Sequence, residues 1–120
     1  MGWILNKNRP VCPQICELIC VDIVNGVFPP NGRLPSVREL AVAIGVNPNT
    51  VQKAMETMEG EGLLYSVRCS GWYVQEDITR AREVLNDLRY EKTREFFAVM
   101  ESLGLSAEET REFVKEWYCE

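Results

Sequence analysis

The sequence predicts a mainly α-helical chain with one small β-hairpin: a winged helix-turn-helix over residues 1–75 and a helical tail of two helices over residues 76–120. Three observations carry this. Residues 34–53 hold two helix starts with a glycine between them. Two short β-prone runs around a turn follow at residues 63–75. A long helical pattern over 78–103 and a capped helix from Ser106 close the chain.

Residues 1–9 read as an arm, a tethered or frayed N-terminus ahead of a functional one in which Trp3, Ile4 and Leu5 dock on the body and Lys7 and Arg9 reach a phosphate. From Val11 to about Asn25, apolar residues fall at Ile15, Leu18, Ile19, Ile23 and Val24, which is helical spacing. Gly26 is a fitting stop, and Pro29 and Pro30 prevent continuation. Helix two is predicted over about 36–45, opened by a capping box of Ser36 and Glu39. Gly45 can adopt the left-handed conformation that ends it. Asn47 followed by Pro48 opens helix three, over about 48–61, because proline at the first helical position loses only an N–H that has no partner there. Val51, Ala54, Met55 and Met58 form its inward stripe. Asn49, Thr50, Gln52 and Lys53 lie on the polar side near its start.

Leu63 to Val67 and Trp72 to Gln75 flank Arg68-Cys69-Ser70-Gly71 and read as a hairpin. The next helix carries Ile78, Ala81, Leu85, Leu88, Phe96, Val99 or Met100, and Leu103 at threes and fours, interrupted by Lys92. Its outer face is laced with Glu and Arg, as on a solvated helix. Gly104 ends it. Ser106 and Glu109 form a second capping box, opening a helix to about Trp117 with Thr110, Phe113, Val114 and Trp117 on one face. So small a pair of helices cannot bury its own apolar stripes. They must pack on the winged helix, on a second chain or on both; Leu85, Leu88, Phe96, Phe97, Met100, Phe113 and Trp117 are the candidate dimer face, and a two-fold homodimer is the simplest solution.

Composition excludes several classes of function. There is no histidine, which removes the commonest metal ligand and general base. No nucleophile–base pair, paired carboxylates or phosphate loop can be read, so no enzyme, metal or cofactor is expected. No run of about eighteen apolar residues suggests a membrane span. The N-terminus lacks the basic-then-apolar order of a signal peptide, which predicts a cytoplasmic protein. The five cysteines stand in no disulfide-framework spacing and are expected to be free thiols. Cys12, Cys16 and Cys20 repeat every four residues on one helix face. They read as small apolar filler ahead of a thiol sensor or soft-metal site. Cys69, at a wing tip, is expected to be exposed. Trp3, Trp72, Trp117 and Tyr118 read as core or dimer packing ahead of an aromatic effector pocket.

The net charge of −5 looks wrong for a DNA binder, yet it is unevenly spread. Residues 1–75 carry six basic groups (Lys7, Arg9, Arg33, Arg38, Lys53, Arg68) and six acidic ones, while residues 76–120 carry seven basic and twelve acidic. The acidity belongs to the tail, and local patches decide which face meets phosphate.

In a helix-turn-helix the start of the second helix enters the major groove. Asn49, Thr50 and Gln52 suit base edges. Arginine and lysine suit phosphates, as do Ser36 and the helix N-termini. The candidate DNA-binding set is Arg33, Ser36, Arg38, Asn47, Pro48, Asn49, Thr50, Gln52, Lys53, Arg68, Ser70 and Gly71. The expected partners are a double-stranded DNA operator and a second copy of the chain; no effector can be named. Two rival readings are a winged helix used as a protein-interaction module and a thiol-responsive regulator.

The run from Pro30 to Ala41 (Pro-Asn-Gly-Arg-Leu-Pro-Ser-Val-Arg-Glu-Leu-Ala) resembles the GntR family of bacterial transcription regulators. So do Gly45 to Ala54, Glu61-Gly62-Leu63 and Gly71-Trp72-Tyr73-Val74, and the resemblance covers about residues 10–75. The region after it is far too short for the large effector domains of most of that family. Phe96-Phe97, then Leu103 to Ser106, then Glu108-Glu109, is similar to the two-helix tail of the YtrA subfamily. The resemblance implies dimerisation through the tail and control of a nearby operon, often one for an ABC transporter, with repression as the expected sign. It also implies that Arg38 contacts DNA, that Asn47 to Lys53 start the recognition helix, and that Gly71 enters or borders the minor groove. The family wing usually reads Arg-Gly-x-Gly-Thr-Phe-Val, with a basic residue common at x. Here Cys69 replaces the first glycine, Ser70 sits at x and Trp72 replaces threonine, so the wing has less charge and less backbone freedom. Cys12 stands where an aromatic residue is common.

Overall fold

A computed structural model describes residues 4–119. The elements run α1 (Val11–Val24), α2 (Val37–Ile44), α3 (Pro48–Gly60), β1 (Leu64–Val67), β2 (Gly71–Val74), α4 (Thr79–Ser102) and α5 (Ala107–Tyr118). The chain divides into two compact units, one reaching Leu85 and the other beginning at Asn86.

The first unit is built on α1 and α3. Ile15, Ile19 and Ile23 from α1 and Val51, Ala54, Met55 and Met58 from α3 are all at most 1% exposed. Leu34, Leu40, Leu64 and Val74 complete the same core. Burying each large side chain of this kind contributes about 1.5–3 kcal/mol, so the stripes and not local propensity hold the helices. Phe28, in the link after α1, is also buried, an apolar anchor in a turn-rich stretch that shows no periodicity. Ala81 joins the core and Leu85 is buried too, so this unit continues into the first turns of α4.

Helix ends follow the capping chemistry closely, with one difference. Ser36 Oγ accepts the Glu39 N–H at 3.1 Å, but the reciprocal bond from Ser36 N–H to the Glu39 carboxylate is absent, so the box is only half made. Ser106 and Glu109 make both bonds. Asn47 Oδ1 accepts the Asn49 N–H at 2.8 Å and starts α3. Gly45 ends α2 at φ 82° and ψ 38°, a left-handed conformation that costs glycine nothing. The Val46 N–H then closes back onto the Ala41 carbonyl.

β1 and β2 form an antiparallel hairpin in which Leu64 faces Val74 and Val67 faces Gly71. The link before α2 adds a third, partial strand. Arg33 bridges to Tyr73, Leu34 N–H donates to Trp72 O, and Val74 N–H donates to Gly32 O. The reading of residues 26–35 as turn-rich did not contain this pairing. Leu34, preceding Pro35, is biased to extended backbone, which is the local signal for it.

The structure goes against the functional alternative for the arm. Ile4 is 90% exposed and does not dock, and Trp3 lies outside the described residues. Arg9 is engaged by Glu17 at 3.0 Å, not free for phosphate. Gln14 anchors the arm instead. Its amide donates to the carbonyls of Asn6, Arg9 and Pro10, and its Oε1 accepts the Asn6 N–H at 2.7 Å. Four bonds satisfy this buried amide, which explains a polar residue in the inward stripe of α1.

The second unit has almost no core of its own. Among its described residues Thr110 alone is fully buried, its hydroxyl donating to Ser106 O at 2.8 Å. Phe96, Phe113 and Trp117 are 44%, 53% and 70% exposed. With Met100 and Val114 they line an open apolar groove of about 350 Å³. Phe97, half-buried, packs edge-on against Phe96, and Leu88 is half-buried. Leu85, named in the dimer-face expectation, is buried within the chain.

Candidate DNA interface

The inward stripe of α3 dictates what its other face offers. With Val51, Ala54, Met55 and Met58 buried, Asn49 and Lys53 are exposed and Thr50 and Gln52 half-exposed. Arg38 is exposed on α2, and with Gly45, Val46, Asn47 and Pro48 it lines a shallow depression where α2 turns into α3. Ser36 is half-buried at the N-cap of α2. The helix-turn-helix thus gathers Ser36, Arg38 and the residues from Asn47 to Lys53 that the sequence singled out. Arg33, Arg68, Ser70 and Gly71 belong to the hairpin and the strand beside it.

Several of these side chains already have partners. Asn47 Oδ1 is committed to its cap. Gln52 Nε2 donates to Glu56 Oε1 at 3.0 Å. The Ser70 hydroxyl bonds the Tyr73 hydroxyl. The side chains of Arg33, Arg38, Lys53 and Arg68 make no ion pair or hydrogen bond among the described residues, as is also true of Lys7, Arg82, Arg89, Arg94 and Arg111. Arg9, Arg80, Lys92 and Lys115 are all paired with glutamates. An unpaired, exposed cation can neutralise a phosphate without first breaking an internal bridge.

Cross-strand and helix contacts hold the wing. Cys69 adopts φ 64° within the turn closed by Ser70 N–H to Val67 O. That left-handed geometry costs a residue with a Cβ about 1–2 kcal/mol, and it is the position at which glycine was replaced. Tyr65 and Tyr73 stack across the strands at 5.5 Å and 15°. The Tyr65 hydroxyl donates to Asn31 Oδ1 at 3.2 Å. Glu59, near the end of α3, accepts from both Ser66 N–H (3.0 Å) and Ser66 Oγ (2.7 Å) and so ties the wing to the recognition helix. Sequence reading missed Glu59, because a clamp spanning seven residues between a helix and a strand has no periodic signature.

The thiols are structural where they are buried. Cys20 is buried, Cys12 and Cys16 are half-buried, and Cys69 and Cys119 are exposed. Cys16 Sγ donates to Ala54 O at 3.7 Å. Burial pushes the Cys16 thiol up to about 12, helped by the neighbouring Cys12 and Cys20. It pushes Cys20 up to about 11, with Glu61 adding to the rise. The thiolate is the reactive form, so these two are inert at neutral pH, which disfavours the sensor reading of this ladder. In the unfolded chain the same thiols are half ionised at about pH 9.0. Between that pH and the raised folded values, the native state holds more protons than the unfolded one. Stability therefore falls as pH rises through this window. Urea unfolding at pH 8, 9.5 and 10.5 should show this decline, and C16A/C20A should flatten it. A thiol-labelling reagent at pH 8 should modify Cys69 and Cys119 first.

Comparison with known proteins follows the same geometry. Residues 13–74 match the family model described as bacterial regulatory proteins, gntR family. The chain is 33% identical to the HTH-type transcriptional repressor YtrA of Bacillus subtilis (strain 168), over 92% of this chain and 85% of that one. A solved structure, a GntR family transcriptional regulator from Listeria monocytogenes, superposes with a TM-score of 0.80 at 35% identity and covers 93% of this chain and 98% of that chain. The structure of AraR(DBD) in complex with operator ORX1 matches at a TM-score of 0.53 and 32% identity, over 62% of this chain and 90% of that one.

Proposed function

Because this chain belongs to the GntR family of bacterial regulatory proteins, which are DNA-binding transcription regulators and not enzymes, we propose that it is a homodimeric repressor of an inverted-repeat operator. The observation that carries the reading is the exposed polar start of α3, from Asn47 to Lys53, with the exposed Arg38 of α2 beside it. Arg38 and Lys53 neutralise phosphates on either side of the major groove. Asn49, Thr50 and Gln52 face base edges, Gln52 after releasing Glu56. Ser36, Asn47 and Pro48 present helix N-termini to the backbone. Gly71, with Arg68 and Ser70, brings the wing to the neighbouring minor groove.

Two copies paired through the α4–α5 face, with Leu88, Phe96, Phe97, Met100, Phe113 and Trp117, give the two-fold symmetry that an inverted repeat mirrors. Residues 1–75 act as the reading domain and 76–120 as the pairing domain. The protein works in the cytoplasm on its own operon, which its resemblance to the YtrA subfamily suggests includes a transporter. No helix among the described residues is long and apolar enough to cross a membrane.

Fluorescence anisotropy on the DNA upstream of its own gene tests the reading. Wild-type protein should bind with an affinity that falls steeply with salt. Arg38→Ala should weaken binding by about 10-fold or more and lower the salt slope by about one. Unchanged specific binding of Arg38→Ala at fixed salt would mean that the recognition surface lies elsewhere. A flat salt response with no specific site would favour the protein-interaction alternative.

A further inference from the structure

The wing lacks a cation at the position where its family commonly carries one, yet a guanidinium lies against it. The place a Cβ would take on Gly71 is 3.7 Å from Arg33 Nε and 3.8 Å from Arg33 Nη2. Arg33 arrives there through the chain's third-strand pairing, its backbone bridged to Tyr73 of β2. The side chain is exposed and makes no hydrogen bond or ion pair among the described residues. Gly71 itself sits at φ 112°, backbone that residues with a side chain rarely adopt. The wing surface beside Arg33 is therefore bare backbone, and Ser70 is turned to Tyr73.

We propose that Arg33 is the minor-groove reader of this protein: its guanidinium, guided by the bare Gly71 edge, enters the minor groove flanking each half-site and selects narrow, A·T-rich flanks. The inference rests on the DNA-binding reading above and deepens it. The hairpin is tied to the C-terminal part of α3 by the Glu59–Ser66 clamp. With the start of α3 in the major groove, a hairpin held beside its other end overhangs the adjoining backbone and minor groove. There the floor offers only acceptors at A·T pairs, whereas G·C pairs add an amino group that fills it. A-tracts narrow the groove and deepen its negative potential, which attracts arginine. Arginine suits the task better than lysine because its planar, weakly hydrated head loses less on entering a narrow slot. Arg68, at the wing turn, remains a phosphate contact and carries no preference for flank sequence.

The test uses full-length protein and a duplex recovered by selection from a random pool. The core half-sites are held constant, and the flanks are made A·T, G·C or inosine·C. Inosine removes the minor-groove amino group while leaving the major-groove edge like that of guanine. Wild-type protein should bind the A·T and inosine·C flanks similarly and the G·C flank about 10-fold more weakly. Arg33→Gln should erase that difference and lower the salt slope by about one per half-site contact. Arg33→Lys should keep the slope and lose most of the discrimination. If Arg33→Gln retains the flank preference, or if inosine·C behaves like G·C, the minor-groove role is overturned while the DNA-binding reading stands. If the wild-type protein selects no duplex at all, both fall. Circular dichroism melts of the variants should match wild type, because the side chain is exposed and unbonded.

Discussion

Phe113→Asp is expected to turn the proposed dimer into a monomer and to weaken binding to the proposed operator by about 100-fold or more. Among the described residues from Asn86 onward one side chain is fully buried, while Phe96, Phe113 and Trp117 stay 44–70% exposed around an apolar groove. A second copy laid into that groove covers the aromatics of both. A carboxylate there would be buried without a partner, which costs several kcal/mol and is enough to dissociate a small interface. DNA binding suffers because a dimer engages its second half-site as an intramolecular event, and a monomer forfeits that gain. Sedimentation equilibrium should show half the mass for the variant. The first unit keeps its own core, so its thermal transition should persist. Trp117→Ala, a milder truncation, should weaken the dimer without abolishing it. A Phe113→Asp protein that stays dimeric would place the pairing surface elsewhere.

Met58→Ala should cost about 2–5 kcal/mol of folding stability, a large share of the 5–15 kcal/mol typical of a small domain. Met58 is 0% exposed, and its carbonyl accepts the Leu63 N–H at 2.9 Å where α3 passes into the wing. Truncation leaves a cavity beneath the helix that carries the reading residues. Met58→Leu conserves volume and should cost less than about 1.5 kcal/mol. Urea unfolding distinguishes them. An alanine variant as stable as wild type would mean that α3 is not held by this stripe.

Both expectations start from patterns visible in the chain. The α3 stripe, the Asn47-Pro48 start and the Gly45 stop follow from local rules, because each depends on neighbours within one or two turns. The exposure of the tail's aromatics also follows from too many of them on too few residues. What could not be read were contacts between distant segments. Gln14 looked like an ordinary polar residue in α1, yet it holds the arm through bonds to Asn6, Arg9 and Pro10. Arg9 looked free and is engaged by Glu17. Ser36 and Glu39 fit a capping box that is only half formed, since spacing permits the second bond without requiring it.

The Arg33 guanidinium shows the division most plainly. Sequence periodicity and caps determine the helix-turn-helix, the hairpin and the aromatic tail, because those depend on short-range geometry and on which residues avoid water. Only the tertiary structure brings residue 33 against residue 71, since a strand pairing across nearly forty positions is chosen by the packing of the whole core. Packing likewise divides the cysteines, pushing Cys16 and Cys20 beyond reactivity while leaving Cys69 exposed, because a thiol's ionisation depends on the water it keeps.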